Sequence, residues 1–311
     1  MHVLITGSSG LIGTNLSLAL MERGHSVEGI DIRPNTWTRQ IQETIVDLRE
    51  LARAASTIGP KKEPDVVVHL AAHAKVFQLV QEPQRAWENV MVFRPVLEYA
   101  RQNRIPLVLA SSREVYGDLR QRVTSEDDVD IVVSHSPYSS SKLACEAFLY
   151  SYSLCYALPF VVFRFSNVYG RYDSDLERLE RVVPLFIRNI SEGRQITVFG
   201  PSKTLDFTYV DDCIRGCIAG IEKVVSGEIR KATINLASGQ GHSLDALVNL
   251  IAVALGSEPK VERLNPRSGE ITHYVADISK ARALLGYEPQ THLPAGLLKA
   301  IAWQRETCAI S

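Results

Sequence analysis

Short apolar runs alternate with amphipathic stretches through the first half of the chain. Val3–Thr6, Val27–Ile30, Val66–Leu70, Leu107–Ala110 and Phe160–Phe165 are almost uninterrupted and rich in β-branched or aromatic residues. This is the pattern of strands covered by helices on both faces. Between them, a segment with Leu16, Leu20 and Arg23 closes at Gly24, a residue suited to the left-handed turn after a helix. Pro83–Asn103 and Tyr138–Ala157 are two longer helical candidates. Strand–helix–strand rhythm of this kind predicts βαβ units and a doubly wound parallel α/β sheet. Past residue 170 the rhythm loosens. Charge gathers around Asp173–Arg181, and proline and glycine recur at Gly200-Pro201, Pro259, Pro266, Gly269, Pro289 and Pro294. No Gly/Ser linker intervenes, so a smaller C-terminal lobe assembled from later segments is expected, not a tethered domain.

Composition narrows the function classes. Of 311 residues, 45 % are apolar and 22 % charged, and 34 basic against 35 acidic residues give a net charge of −1. Disorder needs lower hydrophobicity and a larger net charge. Nucleic acid as the main partner would need a basic excess or a basic stripe, and the chain has neither. No apolar run reaches the roughly 18–20 residues that cross a bilayer. Met1-His2-Val3-Leu4-Ile5-Thr6 enters strand-like sequence directly, without the basic region of a signal peptide. Cys145, Cys155, Cys213, Cys217 and Cys308 are odd in number and form no CxxC pair, so thiols in a reducing cytoplasm are expected.

Thr6-Gly7-Ser8-Ser9-Gly10-Leu11-Ile12-Gly13 sets three glycines between a strand and a helix. A pyrophosphate at a helix N-terminus needs bare backbone N–H groups, and side chains there would block its approach. Gly7 serves the tight turn, Gly10 the close approach, and Gly13 the packing of helix on strand, with Leu11 and Ile12 opening the helix. Asp31 ends the second strand, placed to accept hydrogen bonds from adenosine ribose hydroxyls. A carboxylate there repels a 2′-phosphate, which favours NAD over NADP, while Arg33 keeps the phosphorylated form open. Asp47-Leu48 is readable as an adenine contact, or Asp47 as a solvated helix cap.

Tyr138-Ser139-Ser140-Ser141-Lys142 puts a phenol and an ammonium four residues apart, on one side of a helix. Tyrosine is a poor base near its usual pKa of about 10, but an adjacent ammonium and an oxidised nicotinamide both favour the phenolate. Such a group takes the proton of a sugar hydroxyl while hydride leaves the carbon. The pair alone would also fit an ordinary surface helix. Upstream, however, a strand runs into Ser111-Ser112-Arg113-Glu114-Val115-Tyr116-Gly117, bringing hydroxyls to the sheet edge where open α/β folds bind ligands.

These features, with His69-Leu70-Ala71-Ala72, Asn89, Arg164-Phe165-Ser166-Asn167-Val168-Tyr169-Gly170, Asp206-Phe207-Thr208-Tyr209-Val210-Asp211-Asp212, Arg267-Ser268-Gly269-Glu270 and Asp277-Ile278-Ser279-Lys280-Ala281, resemble the extended short-chain dehydrogenase/reductases. The resemblance is to their NAD-dependent epimerase/dehydratase branch and spans essentially the whole chain. It implies a Rossmann-type fold with NAD held by Gly7, Gly10, Leu11, Ile12, Gly13, Asp31, Arg33, Asp47, Leu48, Leu70, Ala71, Ala72, Asn89, Tyr138 and Lys142. It implies a cofactor-binding domain at 1–170, with 205–238 returning to it, and a substrate-binding lobe from 171–204 and 239–311. Ser112 matches the residue that hydrogen-bonds the reacting hydroxyl, Tyr138 the base and Lys142 its helper. Asn167 and Arg267 match groups that hold a nucleotide diphosphate, and Glu270 one that touches the nucleotide ribose. The implied partner is a nucleotide-diphosphate sugar, and the two long helices match a pair that forms a homodimer interface.

Three reactions share this machinery. Dehydratases of the branch carry Asp-Glu after the catalytic Ser or Thr, and uronate decarboxylases carry Glu in the second place. Here Arg113 stands where the dehydratase acid would be, and an arginine cannot donate a proton at working pH. Glu114 is retained, as a further catalytic candidate. Arg113 either meets a uronate carboxylate or pairs with Glu114. Leu205 replaces an arginine that many relatives use on the diphosphate, with Lys203 or Arg171 as substitutes. The expectation is an NAD-dependent nucleotide-sugar 4-epimerase acting through a 4-keto sugar. The alternatives are a nucleotide-uronate decarboxylase, a 4,6-dehydratase and a non-catalytic NAD-binding regulator.

Overall fold

The computed structural model describes residues 1–118, 123–129, 134–173 and 181–308. Its strands are β1 (His2–Thr6), β2 (Ser26–Asp31), β3 (Gln42–Ile45), β4 (Val66–His69), β5 (Leu107–Ser112), β6 (Phe160–Phe165), β7 (Asn167–Tyr169), β8 (Gln195–Phe199), β9 (Thr204–Tyr209), β10 (Lys231–Leu236), β11 (Gly241–Ser243) and β12 (Lys260–Leu264). The helices are α1 (Leu11–Glu22), α2 (Leu48–Arg53), α3 (Val76–Gln81), α4 (Gln84–Asn103), α5 (Pro137–Tyr156), α6 (Val182–Ser191), α7 (Val210–Ser226), α8 (Leu244–Leu255), α9 (Ser279–Leu285) and α10 (Leu293–Cys308). None of the described helices is long and apolar enough to cross a membrane. The expected apolar strands and both long helices form within a residue or two of the anticipated bounds. Residues 174–180 of the Asp173–Arg181 charge cluster lie outside the described part.

Seven strands make the main sheet, in the order β10-β6-β5-β4-β1-β2-β3, and every pairing in it is parallel. The chain leaves β1 for β2 on one side and later crosses to β4 on the other. That reversal opens a crevice at the carboxyl ends of β1 and β4. Alternation of side chains along β1 serves two cores. Val3 and Ile5 join the α1 and α7 side with Leu16, Leu20 and Cys213, while Leu4 joins the α4 and α5 side with Phe93, Leu97 and Leu149. The α1 side core continues unbroken into the C-terminal segments, through Phe186 and Ile187 of α6, Ile196 of β8, Leu247 of α8 and Leu297 of α10. Two small sheets, β11-β9-β7 and β12-β8, sit among these later segments.

Helix α5 begins with Ser136, whose hydroxyl accepts a hydrogen bond from the Ser139 amide in a reciprocal cap, and Pro137 occupies the first turn. Tyr138, Lys142 and Glu146 then repeat every four residues and are all buried. Lys142 Nζ donates to the Ala110 carbonyl of β5 at 2.8 Å. Glu146 accepts from the Ser111 hydroxyl and from Arg164 of β6, Nε at 3.1 Å and Nη2 at 2.7 Å. Arg164 Nη1 reaches the Tyr116 hydroxyl at 3.1 Å and the Glu126 carbonyl at 2.9 Å. With Arg164 and Glu146 only 4 % and 6 % exposed, this ion pair is satisfied on both sides.

Removing one partner strands the other charge. Glu146→Ala is expected to cost about 3–5 kcal/mol in urea denaturation, whereas a well-packed Glu146→Leu/Arg164→Met pair costs much less. A loss for Glu146→Ala below about 1 kcal/mol would show that the pair does not anchor the helix.

Candidate active site

A cavity of about 640 Å³ opens along the carboxyl ends of β1, β4 and β5 and is closed on its far side by α6, β8 and β9. Every cofactor, substrate and reacting residue expected from the sequence lines it except Arg171, with the glycines, Leu11 and Ile12 at one end and Arg267 and Glu270 at the other.

The dinucleotide end is built by close backbone approach. Gly7 has φ +79°, and a Cβ there would sit 2.7 Å from the Ala71 amide nitrogen. A Cβ on Gly13 would come within 2.1 Å of the Gly7 carbonyl oxygen. No side chain caps α1 at Gly10, so its first turn faces the cavity as an anion site. The Asp31 carboxylate accepts from the Ser9 amide at 3.0 Å and the Arg33 amide at 3.3 Å. Burial raises its pKa, and these amides and the Arg33 charge pull it back. Leu48, Leu70, Ala71 and Ala72 supply apolar walls. This donor set and these bare walls fit a dinucleotide.

Two residues at this end do more than the sequence suggests. Asp47 caps α2, accepting from the Arg49 amide at 2.9 Å, and also lines the cavity. Its hydrogen bond with the Arg49 side chain holds its carboxyl below the usual range, and Arg49 in turn pairs with Glu88 at 3.0 Å. Asn89 accepts from the His73 amide at 2.7 Å and donates to the His73 carbonyl and the Ser141 hydroxyl, each at 3.1 Å. Both amide hydrogens are spent pinning the loop after β4 onto α5, so Asn89 acts on the cavity as a positioning group.

At the reacting end, Tyr138 is buried and lines the cavity with Ser112, whose hydroxyl favours the phenolate. Ser112 Oγ also accepts from the Glu114 amide at 3.2 Å and so caps the short helical turn Arg113–Tyr116. Burial pushes the Tyr138 phenol up to about 12, and Glu114 adds to the rise. Ser112, Arg113 and Arg181 pull it down. The spacing in the sequence points instead to Lys142 as the cation beside the phenol. Lys142 Nζ lies 6.0 Å from the ring centroid and is committed to the Ala110 carbonyl, and burial lowers its pKa. The charge acting on the phenol therefore comes chiefly from arginines outside the YxxxK motif. His69 is buried against the Thr6 hydroxyl at 2.8 Å, and burial lowers its pKa to about 3, which keeps the ring neutral.

Beyond Tyr138 lie the groups assigned to substrate. Arg113 Nη2 pairs with Glu114 at 2.9 Å and donates to Asn167 Oδ1 at 3.2 Å. Asn167 Nδ2 donates to the Asp206 carbonyl at 2.9 Å. Glu114 is buried, and burial raises its pKa against the pull of Arg113. The Arg267 guanidinium stacks between Phe199, at 3.7 Å, and Phe77, at 4.8 Å. Glu270 accepts from the Arg267 amide and pairs with the buried Lys203. Lys203 lines the cavity on the same face of the β9 segment as Leu205. Arg171, the other candidate substitute, is half-exposed and pairs with Asp211 at 2.7 Å. Phe77, Phe199 and the buried Asp173–Arg181 pair are not legible in the sequence, since no local spacing marks them. Asp173 is raised to about 6 by burial despite that arginine.

Known proteins resemble this chain along nearly its whole length. The NAD dependent epimerase/dehydratase family model matches residues 3–237. A UDP-glucuronate 4-epimerase of Thermodesulfobacterium geofontis is 30 % identical over 98 % of this chain and 96 % of its own. The UDP-glucose 4-epimerase of Thermotoga maritima, solved with UDP-glucose, superposes with a TM-score of 0.89 at 26 % identity, covering 99 % of this chain and all of the other. The UDP-glucuronic acid 4-epimerase of Bacillus cereus, solved with UDP-glucuronic acid and NAD, gives 0.84 at 28 % identity, covering 98 % and 99 %. With its dinucleotide cradle and Ser112–Tyr138–Lys142 set in one cavity, the chain belongs to the NAD-dependent epimerase/dehydratase family.

Proposed function

We propose that the protein is an NAD-dependent 4-epimerase of UDP-sugars. The observation that carries this is the single cavity that brings the buried Tyr138 and Ser112 together with the dinucleotide cradle at one end and Arg267 at the other. Bound NAD would supply a hydride acceptor and, oxidised, a positive charge that favours the phenolate. Gly7, Gly10, Leu11, Ile12 and Gly13 would hold its pyrophosphate, Asp31 and Arg33 its adenosine ribose, and Asp47, Leu48, Leu70, Ala71 and Ala72 would line its seat, with Asn89 fixing the loop.

Tyr138 takes the proton of the sugar 4-hydroxyl, and the Ser112 hydroxyl holds that oxygen in line. Ser112, Arg113 and Arg181 already favour the phenolate, opposing the burial that keeps Tyr138 protonated. Lys142, tied to the Ala110 carbonyl, sets the depth of the helix and would serve the nicotinamide ribose with its remaining N–H groups. The 4-keto sugar turns to present its other face, and Tyr138 returns the proton to the oxygen. No acid stands at Arg113 to expel a hydroxyl, which disfavours dehydration. Asn167, Arg267, Glu270 and Lys203 hold the UDP portion, so 171–204 and 239–311 act as the substrate-binding lobe.

The free thiols of Cys145, Cys155, Cys213 and Cys217 suit a cytoplasmic enzyme. Trp87 and Met91 on α4 and Phe148 on α5 are exposed apolar residues, and they suit a homodimer through these two helices.

Incubation with UDP-glucose or UDP-glucuronate is expected to yield the C4 epimer, and release of carbon dioxide or a 4-keto-6-deoxy product would reassign the reaction. Tyr138→Phe is expected to keep NAD bound and lower kcat by at least about a hundredfold, as for loss of a general base. Near-normal turnover would remove Tyr138 from the mechanism. Light scattering is expected to give a dimer mass that falls to the monomer in Trp87→Glu/Phe148→Glu, and a monomeric parent would contradict the dimer.

A further inference from the structure

Arg113 is an unusual group to find at the reacting end of the cavity. Its side chain is only 12 % exposed and lines the cavity directly beside Ser112. Nη2 carries both of its contacts, Glu114 and Asn167. Nη1 is buried and has no hydrogen-bond partner among the described residues. A guanidinium serving only as a structural ion pair presents its forked edge to the carboxylate, as Arg164 does to Glu146 with Nε and Nη2. Arg113 instead turns one nitrogen to Glu114 and keeps the other for something else. The Tyr274 ring lies 5.9 Å from its centre, within reach of a cation–π contact. Leaving a buried charged N–H pair unmatched is costly, so the site is complete only with an acceptor there.

The position of that acceptor on the substrate follows from chemistry. The sugar 4-hydroxyl lies at Tyr138 and Ser112, and Arg113 is near enough to Tyr138 to pull its pKa down. C6 hangs from the ring carbon next to C4. In UDP-hexoses it is a neutral hydroxymethyl, and in UDP-hexuronates a carboxylate. A hydroxymethyl offers one weak acceptor, whereas a carboxylate offers two charged oxygens to a guanidinium.

We propose that Arg113 Nη1 receives the C6 carboxylate of the substrate, so that UDP-hexuronates are its substrate class and UDP-hexoses are poor ligands. Arg113 is then a specificity-determining residue, with Glu114 and Asn167 holding its other nitrogen. This assignment rests on the epimerase reading for the orientation of the sugar, but its test does not depend on turnover.

Calorimetric titration of the NAD-loaded protein with UDP-glucuronate and with UDP-glucose reads the preference as a ratio of affinities. UDP-glucuronate is expected to bind roughly 10- to 100-fold tighter, the range of one charge-assisted contact. In Arg113→Met the ratio is expected to collapse towards one, and Arg113→Lys is expected to recover part of it. Equal or tighter binding of UDP-glucose to the parent protein would overturn the proposal, as would an Arg113→Met variant that weakens both ligands in step and keeps the ratio. The parent ratio decides the question even if the variant fails to fold. A protein that shows the ratio but epimerises neither sugar supports the assignment of Arg113 and removes the epimerase reading, so the two failures are separable.

Discussion

The site depends on one docking constraint: the polar stripe of α5 must lie along the end of β5. Tyr138, Lys142 and Glu146 stack at successive turns; Lys142 meets the Ala110 carbonyl and Glu146 the Ser111 hydroxyl, while Tyr138 lines the cavity with Ser112 at the end of the strand. Glu146 is the deepest fixing point, because Arg164 from the neighbouring strand closes the ion pair in a dry environment. A helix held at two heights cannot slide or roll by a residue without breaking both contacts. The phenol is thereby placed in the same cavity as the serine before any ligand arrives, which is the preorganisation that proton transfer needs.

The cost of that placement is electrostatic. Burial alone makes both Tyr138 and Glu114 reluctant to give up their protons. The protein answers by gathering cations around the same cavity, Arg113 and Arg181 acting on the phenol and Lys203 paired with Glu270. The cavity is thus graded, with backbone N–H groups at the α1 end and guanidinium and ammonium groups towards the Arg267 end. Such a gradient suits two phosphate-bearing ligands laid end to end, with their reactive parts meeting at Tyr138.

Much of this is legible from residue order. The apolar runs of β1, β4, β5 and β6 announce themselves because both faces are covered. By contrast, β3 (Gln-Glu-Thr-Ile) is a half-exposed edge strand with no hydrophobic signature. The glycine turn, Asp31 and the Tyr138–Lys142 spacing are local patterns whose chemistry is fixed by geometry within a few residues. What spacing cannot give is tertiary. Arg181 acts on Tyr138 across more than forty positions of chain, and Phe77 and Phe199 meet on Arg267 from α3 and β8, far apart in sequence. A shared helix face assigns Lys142 to the phenol, yet a carbonyl from another strand claims its ammonium. Asp47 resolves to a helix cap that also lines the cavity, a combination that sequence alone presents as a choice.

The central claim is that hydrogen leaves C4 as hydride, stays within the closed site and returns to C4, while Tyr138 carries only the proton. A UDP-sugar substrate carrying deuterium at C4, epimerised in ordinary water and read by mass spectrometry and NMR, tests this directly. The account requires the deuterium to remain on C4 of the inverted product. Its replacement by hydrogen from solvent would mean that inversion proceeds by proton abstraction from carbon, and neither Tyr138 nor the dinucleotide cradle would then have the role their geometry suggests.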